Sequence, residues 1–334
     1  MNNDRKLIGD LVCGYRKAKI LFVAVSLDLF GLTGGKGAGA GRIIKALRSD
    51  PRATGILLNS LAGMGFLKKK SGIYRNSAVS DRFLVPGKRE YVGHNLHYQN
   101  IIWDAWSKLE NVVKKGKTGF PLRKLLSGRK DFLEGYIRGM SDIALRPACE
   151  IAERLDLTGS ARMLDVGGGP GTYTAAFLNK ERKLRGTILD LPETLKVTRG
   201  IFARHPLRGR VSFLSGDYHK TPFGKDKYDI ILFSHVTHDE GPAENLNLLR
   251  KAFSAMRKGG LVVIHDFMLN RDMASPEFAA VFSVHMLVYT KKGRVYSSHE
   301  YKAWLKEAGF KNMWESDVCP GSVQPSKIIV GRKP

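Results

Sequence analysis

The sequence predicts an α/β fold, a mostly parallel seven-stranded sheet that follows a mainly helical domain. Beyond residue 161, short apolar runs alternate with helical segments, the rhythm of strand–helix–strand units with helices on both faces of a parallel sheet. The runs lie at 163–166, 186–189, 211–214, 228–233, 261–265 and 326–330. The first 95 residues instead show helical spacing of apolar side chains and then two short strand-like runs.

The N-terminal domain has the pattern of a winged helix. Apolar residues recur at helical spacing over 5–33, a Gly-rich turn covers 34–41, and further helices are predicted over 41–47 and 52–64. Asp50 and Pro51 are typical of a helix start. Two short strands follow around Ser71 and Gly72. Residues 96–155 are predicted to be helical.

Composition indicates a globular protein. Of 334 residues, 43% are hydrophobic and 26% charged, and the three cysteines form no CxxC pair. This argues against a disulfide scaffold or a zinc module and suits a cytoplasmic location. No apolar run reaches the roughly 20 residues of a membrane-spanning helix. The formal charge of +24 favours either a solvated basic surface or contact with a polyanion such as an anionic membrane.

A glycine loop opens the C-terminal half. Asp165 precedes glycines at 167, 169 and 171, and Thr172 begins a helix. Glycines permit a tight turn that brings a ligand close to the helix N-terminus. Thr172 stands where the dinucleotide fingerprint would have its third glycine. The acid favours a cofactor with a cationic amino acid end over a pyrophosphate.

Carboxylates end the next two strands. Asp190, followed by Leu191, can accept both hydroxyls of a ribose. Asp217, followed by Tyr218, could accept from an adenine amino group or serve as a turn residue. Together with the glycine loop they indicate a nucleoside cofactor.

The segments 164–171, 189–192, 215–217 and 258–261 resemble the ordered motifs of class I methyltransferases, a Rossmann-like fold. The chain more narrowly resembles the O-methyltransferase family of the caffeic acid, acetylserotonin and antibiotic-tailoring type. Segments 18–24 and 57–61 resemble that family's dimerisation domain.

The resemblance implies S-adenosylmethionine as cofactor and a homodimer with interlocked N-terminal domains. It implies three parts: a winged-helix dimerisation domain over 1–95, a helical linker over 96–155 that contributes to the acceptor pocket, and a catalytic domain over 156–334. The implied cofactor-binding residues are Asp165, Gly167, Gly169, Gly171, Asp190, Leu191, Asp217, Tyr218 and Ser234.

The same resemblance implies the catalytic residues. His238 and Asp239 match the family's His-Asp pair, whose histidine removes the acceptor's proton, and Asp266 matches its acidic partner. An imidazole with a pKa of about 6.5 can take the proton of a phenol with a pKa of about 10. The chain departs from the family at Glu240, where tryptophan is usual, and at Val295, where a second acid is usual. Ser234 replaces a cofactor-contacting lysine.

Large side chains could wall a pocket for an aromatic acceptor, although helix packing accounts for many of them. The predicted pocket residues are Trp106, Tyr136, Met140, Phe282 and Met286. Histidine spacings match no common metal-ligand set, so no metal site is predicted.

Three alternative functions stay open at this point. A winged helix on a basic chain could bind DNA, but helix 52–64 offers almost no base-reading groups, so nucleic acid is not expected as a partner. A nicotinamide oxidoreductase would use a similar glycine turn. A looser base would suit C-methylation of a tetrapyrrole or quinone-type acceptor.

Overall fold

The computed structural model describes residues 2–118 and 130–334, which divide into two compact units between Trp103 and Asp104. The first unit contains α1 (Asn2–Ser26), α2 (Leu29–Leu32), β1 (Ala38–Gly39), α3 (Ala40–Leu47), α4 (Pro51–Gly63), β2 (Leu67–Lys70), β3 (Ile73–Asn76), α5 (Ala78–Phe83) and most of α6 (Gly93–Trp106). Its sheet has the order β1-β3-β2. This is the predicted arrangement of helices followed by a hairpin.

Local sequence explains the boundaries in this unit. The Asp50 side chain accepts the N–H of Ala53 at 2.7 Å and Pro51 occupies the first turn, so α4 begins there. Ser71 and Gly72 have φ of +48° and +76°, the left-handed pair that a two-residue hairpin turn requires. Leu58 on α4 is fully buried in the core of the unit.

The second unit is the predicted α/β domain. It contains α7 (Leu109–Lys115), α8 (Lys130–Arg154), β4 (Arg162–Val166), α9 (Thr172–Lys180), β5 (Arg185–Asp190), α10 (Pro192–Phe202), β6 (Val211–Ser215), β7 (Tyr228–Ser234), α11 (Pro242–Ala255), β8 (Met256–Asp266), α12 (Glu277–Tyr289), α13 (Ser298–Glu307), β9 (Lys311–Val318) and β10 (Ser326–Arg332). A short 3-10 turn covers Thr237–Asp239.

The sheet of this unit has the order β6-β5-β4-β7-β8-β10-β9 among the described residues. Strands β4 to β8 are parallel, and β10 runs antiparallel between β8 and β9. The chain leaves β4 toward β5 on one side and returns as β7 on the other. The carboxyl end of β4 is therefore the switch point, where open α/β sheets bind their ligands.

Six of these seven strands were predicted from the sequence, and β9 was not. Most residues of β9 are exposed or half-buried, and its run, Lys311–Val318, includes three charged side chains. An edge strand with this composition carries no apolar periodicity, so its pairing with β10 is visible only in the tertiary structure. Within the described residues, no helix is long and apolar enough to cross a membrane.

Candidate active site

The glycine loop joins β4 to α9, and two of its glycines are required by their surroundings. Gly167 has φ of +66°, and a Cβ there would lie 2.7 Å from a methyl of Val236. Gly171 has φ of +78°, and its Cβ would lie 2.5 Å from the Phe202 ring. Gly169 has φ of +49° but faces open space. The loop is thus packed at both ends and open at its centre.

Asp190 lies at the end of β5, directly beside this opening. Its Oδ2 accepts the N–H of Gly169 at 2.8 Å, and its Oδ1 accepts the N–H of Leu191 at 2.7 Å. Burial raises the pKa of Asp190 while these two N–H groups oppose the rise. The carboxylate is held by backbone on both oxygens, and each oxygen retains acceptor capacity for a ligand hydroxyl.

Asp165, the last acid before the loop, is almost completely buried. Its Oδ2 accepts the hydroxyl of Thr174 at 2.7 Å, whereas no described residue hydrogen-bonds to its Oδ1. Burial, reinforced by the charge of Asp190, raises the pKa of Asp165 to about 7. A buried carboxylate oxygen without a partner is costly, and a cationic ligand group would compensate it. The site therefore fits a cofactor with both a ribose and an ammonium group.

A second polar group follows β6. The backbone N–H of His219 donates to Asp217 Oδ1 at 2.9 Å. The hydroxyl of Tyr218 donates to Glu240 Oε1 at 2.6 Å, and His219 Nε2 lies 2.9 Å from the same oxygen. The Tyr218 ring lies against the glycine loop, 3.8 Å from the position of a Cβ on Gly167. Glu240, at the position where the resembled family has tryptophan, thus fixes both residues that follow Asp217.

His238 and Asp266 form a buried pair at the carboxyl edge of β7 and β8. His238 Nδ1 lies 2.6 Å from Asp266 Oδ1. Burial alone would lower the pKa of His238, but the charge and hydrogen bond of Asp266, helped by Asp239, raise it above its usual value. Burial likewise opposes ionisation of Asp266, yet the charge of His238 holds the pKa of that carboxyl well below its usual range.

Three further donors hold the Asp266 carboxylate. The backbone N–H of Phe267 donates to Oδ1 at 2.8 Å, and the hydroxyls of Thr237 and Tyr301 donate to Oδ2 at 2.8 and 3.2 Å. Neither Thr237 nor Tyr301 is among the residues predicted from the sequence. Thr237 could have been noticed beside His238, whereas Tyr301 lies on α13 and reaches Asp266 only through the fold.

Ser234 is part of a separate buried network. Its hydroxyl lies 3.0 Å from His265 Nδ1, and His265 Nε2 lies 2.8 Å from the Ser326 hydroxyl. Burial lowers the pKa of His265 well below its usual value, so this imidazole is neutral. The hydroxyl of Ser234 is therefore engaged within the sheet, and direct cofactor contact by Ser234 stays a prediction.

One group of side chains could geometrically hold a metal ion within the described ranges. The candidate ligand atoms of His235, His238 and Asp266 lie within 4.8 Å of one another. Asp266 already accepts four hydrogen bonds, from His238, Phe267, Thr237 and Tyr301. The expectation that the chemistry needs no metal stays a prediction.

The predicted pocket residues differ in how closely they contact His238 and Asp266. The Phe282 ring meets the His238 ring edge-on, with centroids 5.1 Å apart. Burial raises the pKa of Tyr136, and the charges of Asp239 and Asp190 add to the rise, so its hydroxyl lies within electrostatic reach of both carboxylates.

The other three predicted pocket residues differ in their burial and their contacts. Trp106 hydrogen-bonds to His285, which stacks on Phe282. Met140 is half-buried on α8, one turn after Tyr136, and Met286 is buried, with 3% of its surface exposed. Val295 is fully buried among apolar neighbours that include Phe267 and Phe282, which is an unsuitable environment for a second acid.

Comparison with known proteins decides the family. The sequence model of the O-methyltransferase domain matches residues 106–311, and that of the O-methyltransferase dimerisation domain matches residues 10–86. The chain belongs to the O-methyltransferase family. It is an S-adenosylmethionine-dependent O-methyltransferase with the family's dimerisation domain at its N-terminus.

Similar proteins cover nearly the whole chain. The 3-hydroxy-5-methyl-1-naphthoate 3-O-methyltransferase of Streptomyces sahachiroi is 29% identical, over 91% of this chain and 88% of that protein. An O-methyltransferase family protein from Burkholderia thailandensis is 25% identical, with a TM-score of 0.87 over 98% and 97% of the two chains. The structure of PigF with SAH is 26% identical, with a TM-score of 0.87 over 98% and 99%.

Proposed function

We propose that this O-methyltransferase moves a methyl group to a hydroxyl of an aromatic or polycyclic small molecule, with His238 as general base. The observation that carries this proposal is the buried pair of His238 and Asp266, 2.6 Å apart between Nδ1 and Oδ1. His238 lies in the turn that follows β7 and Asp266 ends β8, so the pair is at the carboxyl edge of the two strands next to β4. The relative from Streptomyces sahachiroi, which is named for a hydroxynaphthoate, supports an aromatic acceptor.

Asp266 fixes the state in which His238 can act. The carboxylate accepts a hydrogen bond from Nδ1–H, so Nε2 carries the lone pair that takes the proton of the acceptor's hydroxyl. Asp266 also stabilises the imidazolium that results, because its own pKa is held low. S-adenosylmethionine would supply the methyl group, which moves from the sulfonium sulfur to the oxygen of the acceptor.

The cofactor would lie across the carboxyl ends of β4, β5 and β6. In this assignment Asp190 accepts the ribose hydroxyls, Asp165 compensates the ammonium group, and the open centre of the loop at Gly169 admits the backbone approach. Asp217 and Tyr218 would hold the adenine, since the Tyr218 ring lies beside the loop. Leu191, directly after Asp190, would contact the same nucleoside.

The acceptor would lie beside the base, against the aromatic side chains of α12. Phe282 contacts His238 directly, and Tyr136 on α8 is within electrostatic reach of Asp239 and Asp190. Aromatic faces at this distance favour a flat acceptor and hold its oxygen near Nε2. Positioning of this kind supplies much of the rate in a methyl transfer.

The test is a methyl-transfer screen with two variants. Protein and isotopically labelled S-adenosylmethionine are incubated with a panel of aromatic hydroxyl compounds, and products are detected by mass spectrometry. We expect His238→Gln to lower kcat by about 10²- to 10⁴-fold, the usual contribution of a general base, and to leave the Kd for S-adenosylhomocysteine unchanged. Asp190→Ala should weaken that Kd instead. Equal loss of cofactor binding in both variants, or transfer to no phenol at all, would refute the proposal.

We further propose a homodimer built on the N-terminal domain. Five large apolar side chains of α1 are 52 to 72% exposed and recur at helical spacing: Leu7, Ile8, Leu11, Val12 and Tyr15. An apolar stripe of this kind marks an interaction surface. The dimerisation-domain match at residues 10–86 includes part of the stripe.

A further inference from the structure

Helix α12 presents a row of four ring side chains beside the catalytic pair. Neighbours in the row are separated by 6.0, 5.2 and 4.6 Å between ring centroids, and the row consists of Phe278, Phe282, His285 and Tyr289. Spacings of four, three and four residues place them on one face of the helix. Phe282 stacks on His285 and also meets His238. The two imidazoles are thus separated by the width of one phenyl ring.

Trp106 determines which nitrogen of His285 carries the proton. The indole N–H of Trp106 lies 3.3 Å from His285 Nδ1. Because an indole nitrogen can only donate, Nδ1 must accept, and the proton of a neutral imidazole then sits on Nε2. Burial, with a smaller contribution from the charge of His238, lowers the pKa of His285 to about 4. At neutral pH, His285 is therefore an uncharged donor through Nε2–H.

This donor is available to a ligand. No residue in the described part of the chain hydrogen-bonds to His285 Nε2. This nitrogen is also not completely buried, so a ligand can reach it. Its ring neighbours Phe282 and Tyr289 are uncharged, and the charge that acts on His285 is that of His238. A donor in such a pocket discriminates strongly between ligands that can and cannot accept its hydrogen bond.

We propose that His285 Nε2–H binds an uncharged carbonyl oxygen of the acceptor. Since one phenyl ring separates His285 from His238, the enzyme selects fused-ring phenols whose ketone or quinone carbonyl lies about one ring away from the hydroxyl that is methylated. An uncharged oxygen suits this site better than a carboxylate, because a carboxylate would lose its hydration among aromatic rings without gaining a cation. The inference rests on the proposed function, since it assumes that His238 faces the reacting hydroxyl.

The experiment compares two acceptors that differ only in the carbonyl. The probes are 6-hydroxy-2-tetralone, whose ketone is not conjugated with the phenol, and 5,6,7,8-tetrahydro-2-naphthol, and the quantity measured is the ratio of their kcat/KM values. We expect a ratio of about ten for the unmodified protein, the effect of one neutral hydrogen bond. The ratio should fall to near one in His285→Phe, which keeps the ring and removes the donor. It should recover in part in His285→Gln, whose amide can donate.

Two further variants separate this role from simple packing. Trp106→Phe frees Nδ1, so the proton is shared between both nitrogens and the ratio should fall between the extremes. His299→Phe alters an exposed histidine on a different helix, α13, and should leave the ratio unchanged. Every variant should keep the Kd for S-adenosylhomocysteine measured by calorimetry, which shows that the fold is intact.

Several outcomes would overturn the proposal. These are a ratio near one in the unmodified protein, an unchanged ratio in His285→Phe, or a stronger preference for 6-hydroxy-1-naphthoate than for the ketone, which would assign the site to a carboxylate. Transfer to single-ring phenols but to neither probe would show that the pocket excludes two fused rings, and would also overturn it. Transfer to no phenol would instead refute the proposed function.

Discussion

Replacing Asp266 with asparagine tests how much the buried carboxylate contributes to His238. The amide has nearly the same shape, and its oxygen can still accept from His238 Nδ1 and the Phe267 N–H, so the change removes charge more than geometry. A hydrogen bond to a charged group contributes about 1.5–3 kcal/mol. If that contribution is realised as the imidazolium forms, its loss lowers the rate about 10- to 150-fold.

The pH dependence of kcat/KM provides a second test, in which the direction of the shift is predicted. His238 must be neutral to accept a proton, so kcat/KM should rise with pH through the raised pKa of His238. Without the carboxylate, the effect of burial remains, and it favours the neutral imidazole. The midpoint of the profile should therefore move to lower pH in Asp266→Asn even though the plateau falls.

The assay is steady-state methyl transfer between pH 5 and 9 with whichever phenol the screen identifies. Asp239→Asn is the matched control, because Asp239 Oδ1 is 3.8 Å from His238 Nε2 and the side chain is 35% exposed. Its effect on rate should be within a few-fold, as expected for a screened pair. A profile with an unchanged midpoint in Asp266→Asn, or an equal loss in Asp239→Asn, would refute this reasoning.

Three other outcomes follow from the same geometry. Asp165 has a folded-state pKa of about 7 against about 3.9 in an unfolded chain, so its burial costs the cofactor-free protein up to about 4 kcal/mol as pH rises through that window. The melting temperature of Asp165→Asn should therefore exceed that of the wild type increasingly between pH 4 and 8, while affinity for S-adenosylhomocysteine falls. Tyr218→Phe removes one hydrogen bond to Glu240 and should weaken that affinity about fivefold, by calorimetry. Leu11→Glu should convert a dimer to a monomer in gel filtration.

Each of these outcomes has a clear opposite. A difference in melting temperature between Asp165→Asn and the wild type that stays constant across pH would show that burial does not raise the pKa of Asp165. A normal affinity in Tyr218→Phe together with a normal affinity in Tyr218→Ala would remove Tyr218 from the cofactor site. Lys6→Gln, which lowers the charge by one unit beside the α1 stripe just as Leu11→Glu does, is the control for Leu11→Glu.

The sequence determined the architecture of the catalytic unit and the identity of its cofactor. Buried parallel strands are short continuous apolar runs, so their positions are written locally, and the turn after β4 must be glycine-rich wherever the backbone adopts positive φ. Asp190 and Asp266 could be chosen as functional residues because parallel strands end at the same edge of a sheet. All of these are properties of residues close together in the chain.

The tertiary structure alone decided which distant side chains complete the site. Tyr301 holds Asp266 from 35 residues away, and Trp106 sets the proton of His285 from 179 residues away. Neither contact has a periodic or spacing signal, because both join elements that are far apart in the chain and meet only in the tertiary structure. The exposed strand β9 escaped detection for a related reason: an edge strand needs no apolar alternation when its neighbour supplies the pairing. Local rules thus specify the frame and the glycine loop with its carboxylates, and packing specifies the side chains that support His238 and Asp266.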